Sequence, residues 1–301
     1  MKTLLLVYDK NYIYFPSFRS DKIIIEPLWK DRKYQYCFWT KVFRKLHVPA
    51  GIWFPFYGGD WIKRINSFDK IVVFDAVYEP VVGNWLKKYN IPVYIYMWDG
   101  KNRDRLSQKQ LFPVLSFNPR DIQLGMIYQQ GFYYKDYVKD IPRSEEFDIF
   151  YCGRLKNRTE EVKKICMFLV TGGFSVYFHI VSDQEADWEG KIFIRTDELT
   201  YRENIEHSAK SKAILNIVNP GELGTITLRC LEALYLEKKL ITNDKEICKL
   251  DFYDPRNIFV LDNQVSLESQ LEELKRFMEV PYHKPPQEIL DKYDMNNACF
   301  G

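Results

Sequence analysis

Gly224-Thr-Ile-Thr-Leu-Arg-Cys-Leu-Glu-Ala-Leu-Tyr-Leu-Glu-Lys-Lys-Leu-Ile-Thr242 is the stretch that decides the fold. It reads as a glycine-bounded loop, a helix opening on a threonine, and a short buried strand. Thr225, Arg229 and Glu232 stand at i, i+4 and i+7, so they share one face near the helix N-terminus. Ile226, Leu231, Leu234 and Leu236 supply the apolar side. A first turn rich in donors suits a phosphate, because its free N–H groups and dipole favour negative charge. The competing reading is a surface helix carrying an Arg229–Glu232 ion pair.

Working outward, short apolar runs alternate with helical stretches along the whole chain. Thr3–Tyr8, Ile23–Ile25, Lys70–Asp75, Pro92–Trp98 and Phe112–Phe117 read as strands of the first half, with helices over Tyr34–Leu46 and Pro80–Tyr89. The alternation restarts at Phe147–Cys152 and continues through Phe174–Val181, Ile192–Ile194, Ala213–Val218, Leu240–Thr242 and Ile258–Leu261. Its helices read as Arg158–Thr171, a capping-box helix from Thr200 and Leu267–Met278. Strands alternating with helices imply mainly parallel sheets covered on both faces. The expected fold class is α/β, with two Rossmann-like domains in series and a cleft between them. The domains are expected at 1–140 and 147–280, joined by the charged segment Lys139–Glu146, with a tail over 281–301 that can return to the first domain.

Composition narrows the function. A chain of 301 residues fits two domains of about 150 each. A formal charge of +2 argues against a nucleic-acid partner. Six scattered cysteines without a C-x-x-C pair read as reduced thiols of a cytoplasmic protein. The N-terminal apolar run is too short for a signal segment, and no run approaches the length of a membrane span. His47, His179, His207 and His283 lack paired spacing, so no zinc site is expected. The dinucleotide, P-loop and nucleophile-elbow signatures are all missing. Rings crowd Tyr34–Trp61 beside Lys41, Arg44, Lys45, Lys63 and Arg64. Most of these rings suit a core, but a basic aromatic surface can also rest on an anionic membrane or stack on a sugar.

Three constellations can carry chemistry. Gly153, Arg154, Lys156 and Arg158 follow a strand directly and precede a helix, where open α/β sheets collect ligands. Their cations suit a pyrophosphate. Gly224, Thr225, Thr227, Arg229 and Glu232 form the second set, with Glu232 able to accept from two vicinal hydroxyls. The third comprises the strand-end acids Asp9, Asp75, Glu79 and Asp99 of the first half, any of which can serve as a base or merely as a cap.

The phrases Phe147-Asp-Ile-Phe-Tyr-Cys-Gly-Arg154, Ser211-Lys-Ala-Ile-Leu-Asn216, Thr225-x-Thr-x-Arg-x-x-Glu-Ala-Leu234 and Lys238-Lys-Leu-Ile-Thr-Asn243 resemble the GT-B glycosyltransferases, bacterial enzymes of lipopolysaccharide or capsular polysaccharide synthesis above all. The resemblance implies a nucleotide-diphosphate sugar, commonly a UDP-sugar, in the second domain and a glycan or lipid-linked glycan acceptor in the first. It implies that Glu232 holds the ribose and that Arg154, Arg158 and the Gly224–Thr227 turn hold the pyrophosphate. Many retaining members place a glutamate eight positions before the helix glutamate. Gly224 stands there in this chain, which favours inversion with a first-domain carboxylate as base. No D-x-D motif is present, so neither a metal nor a cofactor is expected. The implied setting is cytoplasmic, with peripheral contact at the inner membrane. A non-catalytic nucleotide- or glycan-binding protein and a nucleotide-sugar epimerase of similar fold are the alternatives.

Overall fold

The computed structural model describes residues 1–98, 103–106, 110–219, 224, 226–262, 264–298 and 300. Asp99 and Thr225, both expected at a site, lie outside the described residues, as do 220–223 of the loop before Gly224. The chain forms two compact units, Met1–Gln130 with Ala298–Gly301, and Gly131–Asn297.

In the first unit the strands are β1 (Thr3–Val7), β2 (Ile23–Pro27), β3 (Lys70–Phe74), β4 (Val93–Met97), β5 (Val114–Ser116) and β6 (Ile127–Tyr128). They form one sheet in the order β2-β1-β3-β4-β5-β6, parallel throughout. β1 and β3 are buried along their full length, as a parallel sheet covered on both faces requires. The helices are α1 (Phe38–Lys45), α2 (Ala50–Tyr57), α3 (Pro80–Leu86) and α4 (Arg103–Leu106). The chain leaves β1 towards β2 on one side and places β3 on the other. The sheet's switch point therefore lies between β1 and β3.

The second unit holds β7 (Phe147–Arg154), β8 (Val176–Val181), β9 (Ala186–Trp188), β10 (Ile192–Arg195), β11 (Ser211–Asn216), β12 (Lys239–Thr242) and β13 (Ile258–Val260). Their order is β13-β12-β11-β7-β8-β10-β9. Only β9 runs antiparallel, as a hairpin on β10. The helices are α5 (Thr159–Thr171), α6 (Tyr201–Ala209), α7 (Leu228–Leu236), α8 (Leu271–Glu279) and α9 (Gln287–Tyr293). α6 carries the capping box, with Thr200 and Glu203 bonding each other's backbone. The core of this unit packs Ile149, Tyr151, Val162, Leu169 and Leu215 between sheet and helices. Its switch point lies between β7 and β11, where ligands of open α/β sheets collect.

Residues 139–146 pack on the second unit, with the Ser144 N–H on the Ala209 carbonyl and the Glu146 N–H on the Lys210 carbonyl. Most of the tail does too, since Tyr235 Oη donates to the Leu290 carbonyl. Only the final residues belong to the first unit, where the Phe300 carbonyl accepts from the Lys70 ammonium. α7 begins at Leu228, with Thr227 in the N-cap position and extended backbone there. Arg229 therefore stands in the first turn.

Candidate functional site at the switch point of the second sheet

Two arginines cross-link the strand ends at this switch point. Arg158, at the N-cap of α5, donates to the Ile217 carbonyl beyond β11 and to the Arg154 carbonyl at 3.3 Å. Arg229, from the first turn of α7, donates to the Cys152 carbonyl of β7, and its guanidinium lies 5.6 Å over the Tyr151 ring. Gly153 makes this approach possible. A Cβ there would lie 2.9 Å from Tyr151 Oη and 3.3 Å from Arg229 Nη2.

At these strand ends two buried polar atoms, Tyr151 Oη and Arg158 Nε, find no partner among the described residues. Buried polar groups in folded proteins are nearly always bonded, so such orphans beside two cations mark a place where polar ligand atoms can enter. Burial also pushes the Tyr151 phenol up, keeping it a neutral donor.

The start of α7 adds donors. Thr227 does not cap the helix with its side chain. Its hydroxyl turns instead to Asn216 Oδ1 at 3.3 Å and lies 3.4 Å from Cys230 Sγ. Among the described residues no side chain caps the first-turn amides of Leu228 and Arg229. Gly224 adopts φ +84°, a left-handed conformation suited to glycine, and its N–H binds Asp244 Oδ2 at 2.8 Å. Asn243 clamps Val218 through both backbone groups, at 2.7 and 3.0 Å, and reaches Glu161 at 2.7 Å. The ends of β11 and β12 are thereby tied to the first turn of α5.

The remaining donor-site candidates have other partners. Arg154 is exposed and engaged by Glu198 at 2.5 Å and Asp183 at 3.3 Å. Lys156 is exposed on the loop, at a positive φ of 48°. Glu232 is only 2 % exposed and accepts from Tyr201 Oη at 3.0 Å. It makes no ion pair with Arg229, whose Nη2 donates to the Cys152 carbonyl. Burial raises its carboxyl pKa, against the pull of Arg229 and of hydrogen bonds from Tyr201 and Asn204. As it stands, Glu232 fastens α7 to α6.

The acids of the first unit also separate. Asp75 follows β3, is fully buried, and accepts the Trp98 N–H at 3.0 Å, tying the ends of β3 and β4. Glu79 pairs with Arg44, accepting from Nη2 at 3.0 Å with Nε 2.9 Å from its other oxygen. Asp9 follows β1, is half-buried, and supports a turn through the Asn11 N–H at 2.8 Å. Asp9 and Asp75 thus flank the switch point of the first sheet.

Asn216, Asn243, Asp244, Tyr201 and Tyr151 were not singled out from the sequence. Asn216 and the Asn243-Asp244 pair carry a readable signal, a polar side chain directly after a buried strand. Tyr151 and Tyr201 carry none.

Gly153→Ala is expected to push Tyr151 and Arg229 apart and cost about 1–3 kcal/mol. Urea unfolding checks this, and a variant as stable as the parent would mean the approach is looser than these distances indicate.

No protein-family profile and no curated protein sequence matches this chain. Solved structures do. The apo form of the lipopolysaccharide outer core galactosyltransferase WaaB superposes with TM-score 0.54 at 15 % identity, covering 99 % of this chain and 97 % of that one. Anabaena HepE in complex with UDP-glucose gives 0.55 at 12 % identity, with the same coverage. A glycosyltransferase from Rickettsia africae ESF-5 gives 0.56 at 10 % identity, covering 98 % of this chain and 95 % of that one. With two Rossmann-like units matched over nearly their whole length, the fold of this chain is that of the GT-B glycosyltransferases.

Proposed function

We propose that this chain is a glycosyltransferase that moves a sugar from a nucleoside diphosphate, a UDP-sugar, to a hydroxyl of a cell-surface glycan. The observation that carries the reading is the convergence of Arg158, Arg229 and the uncapped start of α7 on the switch point of the second sheet. Breaking the sugar–phosphate bond leaves negative charge on the diphosphate. Fixed guanidinium groups and helix amides can stabilise that charge without a metal ion. The likeness to HepE, whose structure holds UDP-glucose, supports the choice of donor.

Arg229, with Arg158 and Gly153 beside it, takes the diphosphate. Arg154 and Lys156, at the outer side of the loop, have a lesser share. Glu232 serves as a positioning residue that sets α7 and hence Arg229. The missing glutamate at Gly224 favours inversion, which requires a base for the acceptor hydroxyl. Asp9 fits that role better than Asp75, which is sealed, or Glu79, which is locked to Arg44. The protein works in the cytoplasm, peripheral to the inner membrane.

The test is release of UDP from UDP-sugars with and without a glycan acceptor. Acceptor-dependent release that EDTA leaves unchanged, with inverted anomeric configuration by NMR, is the expected result. Asp9→Asn should lower kcat about a hundredfold, whereas Asp75→Asn should chiefly lower thermal stability. Donor epimerised without acceptor would point to an epimerase. Binding without turnover of any UDP-, GDP- or dTDP-sugar would point to a non-catalytic protein.

A further inference from the structure

The first unit presents an apolar surface that its own core does not use. On α1, Thr40 is buried and Phe43 and Arg44 are half-buried, so these residues face inward. At 100° per residue the opposite arc carries Phe38, Trp39 and Leu46, with Lys41 and Lys45 along one border. Phe38 is 69 % exposed, Trp39 57 % and Leu46 68 %. Residues 46–49 then lead into α2. There Trp53 and Phe54 face the core, while Ile52 and Phe56, one turn apart, are 62 % and 72 % exposed. Five large apolar side chains in a stretch of nineteen residues far exceed the scattered exposure normal for a protein surface.

The patch is braced from below. Trp39 stacks on Phe43 at 6.2 Å, and Phe43 stacks on the buried Trp53 at 5.9 Å. Trp39 is therefore held in place before any partner arrives, which lowers the ordering entropy that opposes docking.

Charge identifies the occupant. Residues 30–64 hold eight Lys and Arg against only Asp31 and Asp60, a net +6. The whole chain carries +2, so everything outside this stretch sums to −4. Asp31 and Asp60 pair with Lys33 and Lys63, Glu79 with Arg44, and Glu26 with Arg64. Lys41 and Lys45 form no ion pair among the described residues and stand exposed beside the apolar arc. Aromatic and aliphatic side chains bordered by lysines match the interfacial layer of an anionic bilayer, with rings at the acyl boundary and ammonium groups at the phosphates. Among the described residues no helix is long and apolar enough to cross a membrane, so such contact would be in-plane.

We propose that the α1–α2 face, led by Phe38, Trp39, Ile52 and Phe56 and edged by Lys41 and Lys45, docks the protein on bilayers containing anionic phospholipid. The surface gives the membrane-peripheral part of the functional reading a physical seat. Its test needs no turnover, so the two can fail separately.

The experiment is co-sedimentation of the full chain with vesicles of phosphatidylglycerol and phosphatidylethanolamine, and with vesicles of phosphatidylcholine alone. Binding to the anionic vesicles, weakened in 0.5 M salt, is expected. Phe38→Ser with Trp39→Ser should weaken it by more than about tenfold. Lys41→Gln with Lys45→Gln should weaken it roughly fivefold for each charge removed. All four side chains are exposed, so both variants should keep the parent's melting temperature. Absence of anionic-vesicle binding would overturn the proposal, as would binding that both variants retain. Self-association dissolved by the same substitutions, without vesicle binding, would overturn it in favour of a second copy of this chain.

Discussion

Arg229→Ala should abolish measurable sugar transfer, lowering kcat by roughly 10²–10³-fold, the loss typical of removing one fixed donor to developing charge. The guanidinium is positioned three ways. α7 supplies its backbone, the Cys152 carbonyl takes one N–H, and the Tyr151 ring lies beneath it. On the proposed reading, such a group would stabilise a departing diphosphate without reorganising during the reaction. Arg229→Lys keeps the charge but loses the fork that would let one side chain bond the Cys152 carbonyl and a phosphate together, so it should recover only part of the rate. UDP release at saturating donor separates the two variants. Full activity in Arg229→Ala would remove the assignment of the donor site.

The second large effect falls on stability. Trp53→Ala should destabilise the first unit by about 3–5 kcal/mol, the usual cost of emptying a buried tryptophan site. Trp53 is 2 % exposed. It stacks between Trp29 at 6.2 Å and Phe43 at 5.9 Å, and its indole N–H binds the Val48 carbonyl at 3.1 Å. Removing it empties the layer that supports α1 and α2. Trp53→Phe keeps a ring but loses the hydrogen bond, and should cost less. Urea unfolding followed by tryptophan fluorescence measures both. Vesicle binding should fall together with stability in Trp53→Ala, since Trp39 rests on this ring through Phe43.

Much of the fold was legible because its strands are short apolar runs that stop abruptly at Asp, Asn or Gly. Thr3–Val7 and Lys70–Phe74 are of this kind. The capping box at Thr200 marked α6 for the same local reason. What failed was local structure set by tertiary packing. α2 contains Gly51 and Pro55 and is apolar on nearly every side, so it shows no helical period. Residues 32–36 form a 3₁₀ turn capped by Asp31, and α1 starts only at Phe38. β9 is three residues on a sheet edge, too brief for alternation to register.

The candidate site was legible as residue types at strand ends and illegible as geometry. Gly153, Arg158 and Arg229 do meet. Nothing in the sequence told Arg154, held by Glu198 and Asp183, from Arg158, which closes the loop against Ile217. Glu232 read as an acceptor for two vicinal hydroxyls or as the ion-pair partner of Arg229 on the same helix face. Tyr201, thirty-one residues away, takes that carboxylate instead. Partners so distant in sequence are set by topology, and one sequence alone does not reveal them.

The measurement that bears most directly on the central claim is thermal unfolding with and without UDP, for the parent chain and for Arg229→Ala. A ligand at a hundred times its Kd adds about 2.7 kcal/mol to the state that binds it. For units of this size that is a rise of roughly 5–10 °C in Tm. The expected result is such a rise for the parent and little or none for Arg229→Ala. No rise with UDP, GDP or dTDP, or the same rise in both proteins, would contradict a diphosphate site at the meeting of β7, β11 and α7.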